Sequence, residues 1–183
     1  MIQGVLNLLR GRVDVHAKMA GLIVLATVPV IVAGYFLNDY GLDGLRSVTI
    51  IGWATLGFGI VLYATDKMGM TVRRIEHLGV SDAIVIGLSQ VLALIPGTSR
   101  SGITMSAARL LGVERSDAAR FSMLLSIPTI VGAGLLKGLE LYQSGDAQLT
   151  SDAFVAAGLS FVAALLAIFL LMAWLKRSSF TPF

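Results

Sequence analysis

Five stretches free of any charged residue dominate this chain: 19–38, 47–65, 83–99, 121–136 and 153–175. Together they hold 95 of its 183 residues. A helix crossing ~30 Å of hydrocarbon takes about 20 apolar residues, with ~17–25 the usual range. Four of the stretches have that length outright, and the 16-residue fourth one reaches it if Lys137 snorkels. Composition agrees. Hydrophobic residues make up 56%, charged residues only 14%, and the mean hydropathy is +0.83. A soluble domain carries about 25% charged residues, so a soluble enzyme, a nucleic-acid module and a disordered chain are all excluded. No cysteine is present, which removes disulfides, thiolate metal sites and cysteine nucleophiles. The net charge of +3 comes from scattered basic residues. It reads as a positive excess on one side of a bilayer rather than a nucleic-acid surface. Residues 1–18 have too short an apolar run, and no cleavage site, for a signal peptide.

The third stretch is unlike the others. It runs into Pro96-Gly97-Thr98-Ser99-Arg100-Ser101-Gly102 and then into a short apolar piece, 103–113, that carries Arg109. Adjacent proline and glycine break a helix, and the residue before proline is pushed out of the α region. Irregular backbone at membrane depth is tolerated only where protein buries it or water lines it. Residues 83–113 are therefore expected to form a re-entrant hairpin. The fold class is all-α: a single polytopic membrane domain over 1–183, with spans at 19–38, 47–65, 121–136 and 153–175. Spans 19–38 and 121–136 each carry a mid-helix proline, Pro29 and Pro128, followed by small residues that permit close helix packing.

Lys and Arg in the short loops set the orientation. Residues 1–18, the loop 66–82, the turn 113–120 and the C-terminal Lys176 and Arg177 are rich in basic residues. The segments 39–46 and 137–152 are poor in them. If the hairpin returns the chain to its starting side, the basic segments all lie in the cytoplasm. Arg109 counts among these loop residues. The two histidines, His16 and His77, fall in basic loops and read as solvated surface.

Arg100 asks for an explanation. An arginine at membrane depth costs roughly 2.5–3.5 kcal/mol on insertion scales, so it needs a partner or a wet cavity. Hydroxyls surround it at Thr98, Ser99, Ser101 and Thr104, and Gly97 and Gly102 allow a tight turn and close approach of a ligand. Ser99 or Thr98 would cap the next helix. A capped helix N-terminus with a guanidinium fork beside it makes an anion site, and phosphate suits it best. A salt bridge or a lipid headgroup is the plainer alternative, and spacing alone does not separate an enzyme from a transporter or channel with a re-entrant filter.

The segment 90–104, Gln-Val-Leu-Ala-Leu-Ile-Pro-Gly-Thr-Ser-Arg-Ser-Gly-Ile-Thr, resembles the second signature of the undecaprenyl-diphosphate phosphatases, also called bacitracin-resistance proteins. Gly112-Val113, the run 118–128 and Phe180-Thr181-Pro182-Phe183 resemble the segments downstream of that signature in the family. The resemblance covers nearly all of the chain and is weakest over 1–80. It implies inverted repeats, each with a re-entrant hairpin. It also implies removal of the terminal phosphate from a C55 isoprenoid diphosphate to regenerate the monophosphate carrier for cell-wall synthesis, with bacitracin resistance. A divalent cation, Mg or Ca, is implied, as is a bacterial inner-membrane location. The partners implied are the prenyl diphosphate and the bilayer, and a homo-oligomer stays open.

Carried over by motif, Arg100 and Ser99 are the catalytic candidates. Thr98, Ser101, Gly97, Gly102, Thr104 and Gln90 are the substrate-binding ones. The family's first signature, with Glu-x-x-x-Glu and Pro-x-Ser-Ser-x-Gly-His, has no counterpart here, so no metal ligand is expected from this chain. The chain is expected to be an incomplete copy that does not turn over substrate by itself. A transporter or flippase for an anionic lipid and a non-catalytic membrane fragment are the alternatives.

Overall fold

The computed structural model describes residues 15–39, 47–69, 73–144, 147–176 and 178–181. Among the described residues six helices carry the fold: α1 (Val15–Asp39), α2 (Val48–Met68), α3 (Val80–Val91), α4 (Arg100–Leu110), α5 (Arg115–Ser144) and α6 (Ala147–Leu175). Short 3-10 turns lie at Ile75–His77 and Leu92–Leu94. The only bridge of β type among the described residues joins Arg73 to Val113.

Among the described residues four helices are long and apolar enough to cross a membrane: Ala17–Leu37, Val48–Met68, Arg115–Leu135 and Ser151–Leu175. They fall on the four expected spans. The protein is a multi-pass membrane protein.

The turn expected at 113–120 is mostly helix. Gly112 (φ +81°) ends α4 in the left-handed region. The Glu114 carbonyl then accepts from Ala118 N at 2.8 Å, so α5 starts at once, with Asp117 in its first turn where the helix dipole favours an acid.

The expected hairpin at 83–113 is α3, a break and α4. With 12 and 11 residues, the two arms are each ~16–18 Å long at 1.5 Å per residue, about half the hydrocarbon thickness. Both outer ends lie at the same end of the bundle. Arg73 N donates to Gly112 O (3.0 Å) beyond α4, and Glu114 N donates to Arg73 O (2.9 Å). The Arg73 guanidinium reaches Leu111 O (3.1 Å) and both oxygens of Asp82 in α3 (3.1 and 2.6 Å). The chain therefore enters and leaves on one side. The Arg73 hydrogen bonds, with help from Gly79 N, hold the Asp82 carboxyl below the usual carboxylate range.

The main core joins Ile23 and Ala26 of α1, Ile86 of α3, Ala108 of α4, and Phe121 and Leu125 of α5. α1 and α3 touch backbone to backbone: a Cβ on Gly87 would lie 2.8 Å from Ala26 Cα. A second cluster joins Leu62, Met105, Ala119, Leu175 and Phe180. The most apolar part of α6 is not buried by the rest of the chain at all. A helix that is hydrophobic all round and uncovered belongs in lipid.

Candidate active site

The hairpin tip is built by its break. After the 3-10 turn at Leu92–Leu94 the chain turns extended at Ile95, as a residue before proline should. Gly97 comes next but one, at φ +92°, a conformation costly for any residue with a Cβ. α2 seats this turn. Thr55 Oγ1 donates to Gly97 O at 3.0 Å, and a Cβ on Gly97 would lie 2.9 Å from Ile51 Cα. Thr55 was not among the residues singled out from sequence, because only the fold brings α2 to the tip.

Ser99 caps α4: its Oγ accepts from Gly102 N at 3.2 Å and lies 3.3 Å from Ser101 Oγ. Both serines are exposed. Gly102 is buried, and a Cβ there would press on Ser99 Cβ at 3.1 Å. Arg100 is half-buried, and among the described residues it makes no ion pair. Its Nη1 is buried without a hydrogen-bond partner. Two more buried polar groups lack partners, Thr98 Oγ1 and both amide atoms of Gln90, a residue with 0% exposure. Buried polar atoms are almost always paired. Three such residues lie within the 90–104 signature; the fourth on this hairpin, Arg109, lies at its far end with Asp66 beside the unpaired Nε.

Thr104 sits differently from the others. It is buried, and its hydroxyl lies 2.9 Å from Arg100 O and 2.7 Å from Ser122 Oγ. It ties the first turn of α4 to α5. Ser122 was not foreseen. Its sequence signal is faint: Ser122 and Ser126 lie four residues apart, hence on one face of α5. A cavity of about 160 Å³ opens between α4, α5 and α6, lined by Arg100, Ser101, Met105, Ala119, Ser122, Met123, Ser126 and Leu171.

The other arginine of the hairpin corrects an expectation. Arg109 is no loop residue; it has 0% exposure. Its Nη1 donates to Val113 O (2.7 Å), and its Nη2 to Gly69 O (3.0 Å) and Asp66 O (3.2 Å). Its Nε lies 3.2 Å from Asp66 Oδ1, an ion pair without a hydrogen bond at that atom. Asp66 also takes Arg115 Nε at 2.7 Å and Phe180 N at 3.3 Å. One aspartate thus joins the ends of α2, α4 and α5 to the segment after α6. His77 is exposed, with Nδ1 accepting from Arg74 N at 3.2 Å; the His16 side chain and Arg177 lie outside the described residues.

Among the described residues no three His, Asp or Glu side chains converge. The tip offers hydroxyls, an amide and a guanidinium, donors for an anion rather than ligands for a hard cation. The tip residues therefore do not fit a divalent ion by themselves.

The whole chain, residues 1–183, matches the family described as bacitracin resistance protein BacA. It is 49% identical over 187 residues to undecaprenyl-diphosphatase 1 of Rhodospirillum rubrum. It is 50% identical over 184 residues to the undecaprenyl-diphosphatase of Jannaschia sp., and 48% identical over 182 to that of Roseobacter denitrificans. All or nearly all of this chain is covered in these matches (100%, 100% and 98%), but only 65%, 69% and 68% of the three relatives. The chain thus spans about two thirds of their length. Matched over its whole length and about half identical to these relatives, the chain belongs to the bacitracin resistance protein BacA family.

Proposed function

We propose that the hairpin tip binds the diphosphate of a prenyl lipid and serves its hydrolysis to the monophosphate, as the names of the relatives suggest. The observation that carries this reading is Arg100 Nη1, buried with no partner beside a capped helix N-terminus. Ser99 satisfies Gly102 N through its side chain and Ile103 N through its carbonyl. The N–H groups of Arg100 and Ser101 remain for an outside acceptor. A guanidinium fork and the free N–H groups of a helix N-terminus suit phosphoryl oxygens. In the reaction a water oxygen attacks the terminal phosphorus, the bridging P–O bond breaks, and the lipid monophosphate leaves. Charge grows on the equatorial and bridging oxygens. Arg100 stabilises it most in the transition state, so its loss lowers turnover as well as binding. Ser99 and Ser101 orient the terminal phosphate. Gln90 and Thr98 are the further polar contacts.

The setting proposed is the bacterial inner membrane, with the Asp66 end of the bundle, Lys176 included, in the cytoplasm. A divalent cation is proposed on the strength of the resemblance alone. The tip residues do not supply its ligands, so EDTA and Mg²⁺ belong in the assay as separate arms.

The test is phosphate release from a prenyl diphosphate in detergent, by the 183-residue chain alone and with the remaining third of a relative added as a second polypeptide. Release that falls at least tenfold in Arg100→Lys supports the reading, because lysine keeps the charge and loses the fork. Normal release by that variant overturns the role of the fork. Tight binding without release in either arm favours carriage of an anionic lipid over hydrolysis.

A further inference from the structure

Arg100 belongs to two places at once. It stands at the hairpin tip, and it forms a wall of the cavity between α4, α5 and α6. That cavity is lopsided in its chemistry. Ser101 lies on the phosphate side of it, and its other polar groups are already engaged. Ser122 Oγ is 2.7 Å from Thr104 Oγ1, and Ser126 Oγ donates to Met123 O. Arg100 alone among its walls keeps a buried donor without a partner. The rest of the lining is Met105, Met123, Leu171 and Ala119.

A ligand that fits must be anionic at one end and hydrocarbon along the rest. A free phosphate or a hydrated ion would leave polar surface against methionine and leucine, which is unfavourable. The volume, about 160 Å³, matches an engineered apolar cavity of ~150 Å³ that holds one benzene. It has room for one five-carbon group. Methionine walls adapt to such a shape. Leu171 belongs to α6, whose apolar faces lie uncovered, so a chain continuing past it meets lipid.

We propose that this cavity is the subsite for the isoprene unit next to the phosphate. Met105, Met123 and Leu171 then select prenyl diphosphates over short or polar esters of equal charge. The assignment rests on Arg100 as a phosphate ligand.

The experiment compares dimethylallyl diphosphate, which carries one isoprene unit, with methyl diphosphate. Affinities for the detergent-solubilised 183-residue chain are measured by calorimetry. Wild type should favour the dimethylallyl ester by about tenfold or more, the scale of burying one aliphatic side chain. Met123→Trp and Leu171→Trp each fill the cavity from a different helix and should bring that ratio close to one. Met123→Ser, which crowds nothing, should lower it severalfold. Arg100→Lys should weaken both ligands alike and leave the ratio. An unchanged ratio in the Met123 and Leu171 variants overturns the subsite and leaves the phosphate reading standing, as does a wild type without preference. A wild type that binds neither ester overturns both.

Discussion

Two arginines stand nine positions apart at the two ends of α4, and the fold treats them in opposite ways. Arg109 is sealed from solvent, yet Asp66 and three backbone carbonyls surround it. Arg100 is half-buried, and it keeps an N–H that nothing in the described chain accepts. Desolvating a guanidinium is expensive in both places. At the base of the hairpin the chain meets the cost with its own groups. At the tip it does not, although hydroxyls abound there: those of Ser99, Ser101 and Thr104 are turned to the cap, to each other and to α5, and that of Thr98 has no partner either. A charge satisfied from within serves the architecture. A charge left open is what the proposed phosphate site needs. Arginine content alone does not distinguish the two; the partner set does.

The contrast can be broken from either side. The largest effect should come from Asp66→Ala, which strands Arg109 in the core. Removing one partner of a buried pair costs about 3–5 kcal/mol, so the thermal midpoint in detergent should collapse. Survival of the fold would mean the pair is not the anchor it looks like. Next, Gly97→Ala forces a Cβ into the left-handed region and against the Ile51 backbone. A cost of about 1–3 kcal/mol is expected, together with lost anion binding, since the tip moves. Ser99→Ala removes a helix cap for about 1 kcal/mol and is read by the same melt. A smaller effect lies outside the spans. The Asp82 pKa is lowered, so its pair with Arg73 adds stability above the unfolded carboxylate pKa. That contribution fades as pH falls through the lowered value. Asp82→Asn should melt earlier than wild type at neutral pH, and the gap should close in acid. Smallest of all, Arg100→Met should leave the midpoint unchanged or raise it while abolishing binding of inorganic diphosphate. A clear drop in stability would place Arg100 with Arg109.

The spans were legible because hydropathy over twenty residues has only one cheap solution in a bilayer. The hairpin was legible because Pro96-Gly97 stops a helix wherever it occurs. Arg100 was legible as an oddity. Arg109 was not, since a basic residue near a span end looks like an anchor until Asp66, 43 residues earlier in the chain, is brought to it. Thr55 was invisible for the same reason, and Ser122 nearly so. A hydroxyl in a helix has several uses, and only the packing of α5 and α2 against the hairpin selects one. Thr104 shows the converse: its place in the motif suggested a ligand contact, and its hydroxyl holds α4 to α5.

The Asp66 junction also sets a timetable for the making of the protein. Asp66 is synthesised 43 residues before Arg109 and 114 before Phe180. At about 5–20 residues per second, the acid waits about 2–9 s for its arginine and about 6–23 s for the last backbone donor. During that interval α2 ends in a carboxylate with neither arginine beside it, which favours keeping this end at the water interface. Arg109, arriving at the base of the hairpin, then gives that carboxylate its buried partner. The order of translation thus lets an early acidic residue dock late-made segments, with the Phe180 backbone reaching it after both arginines.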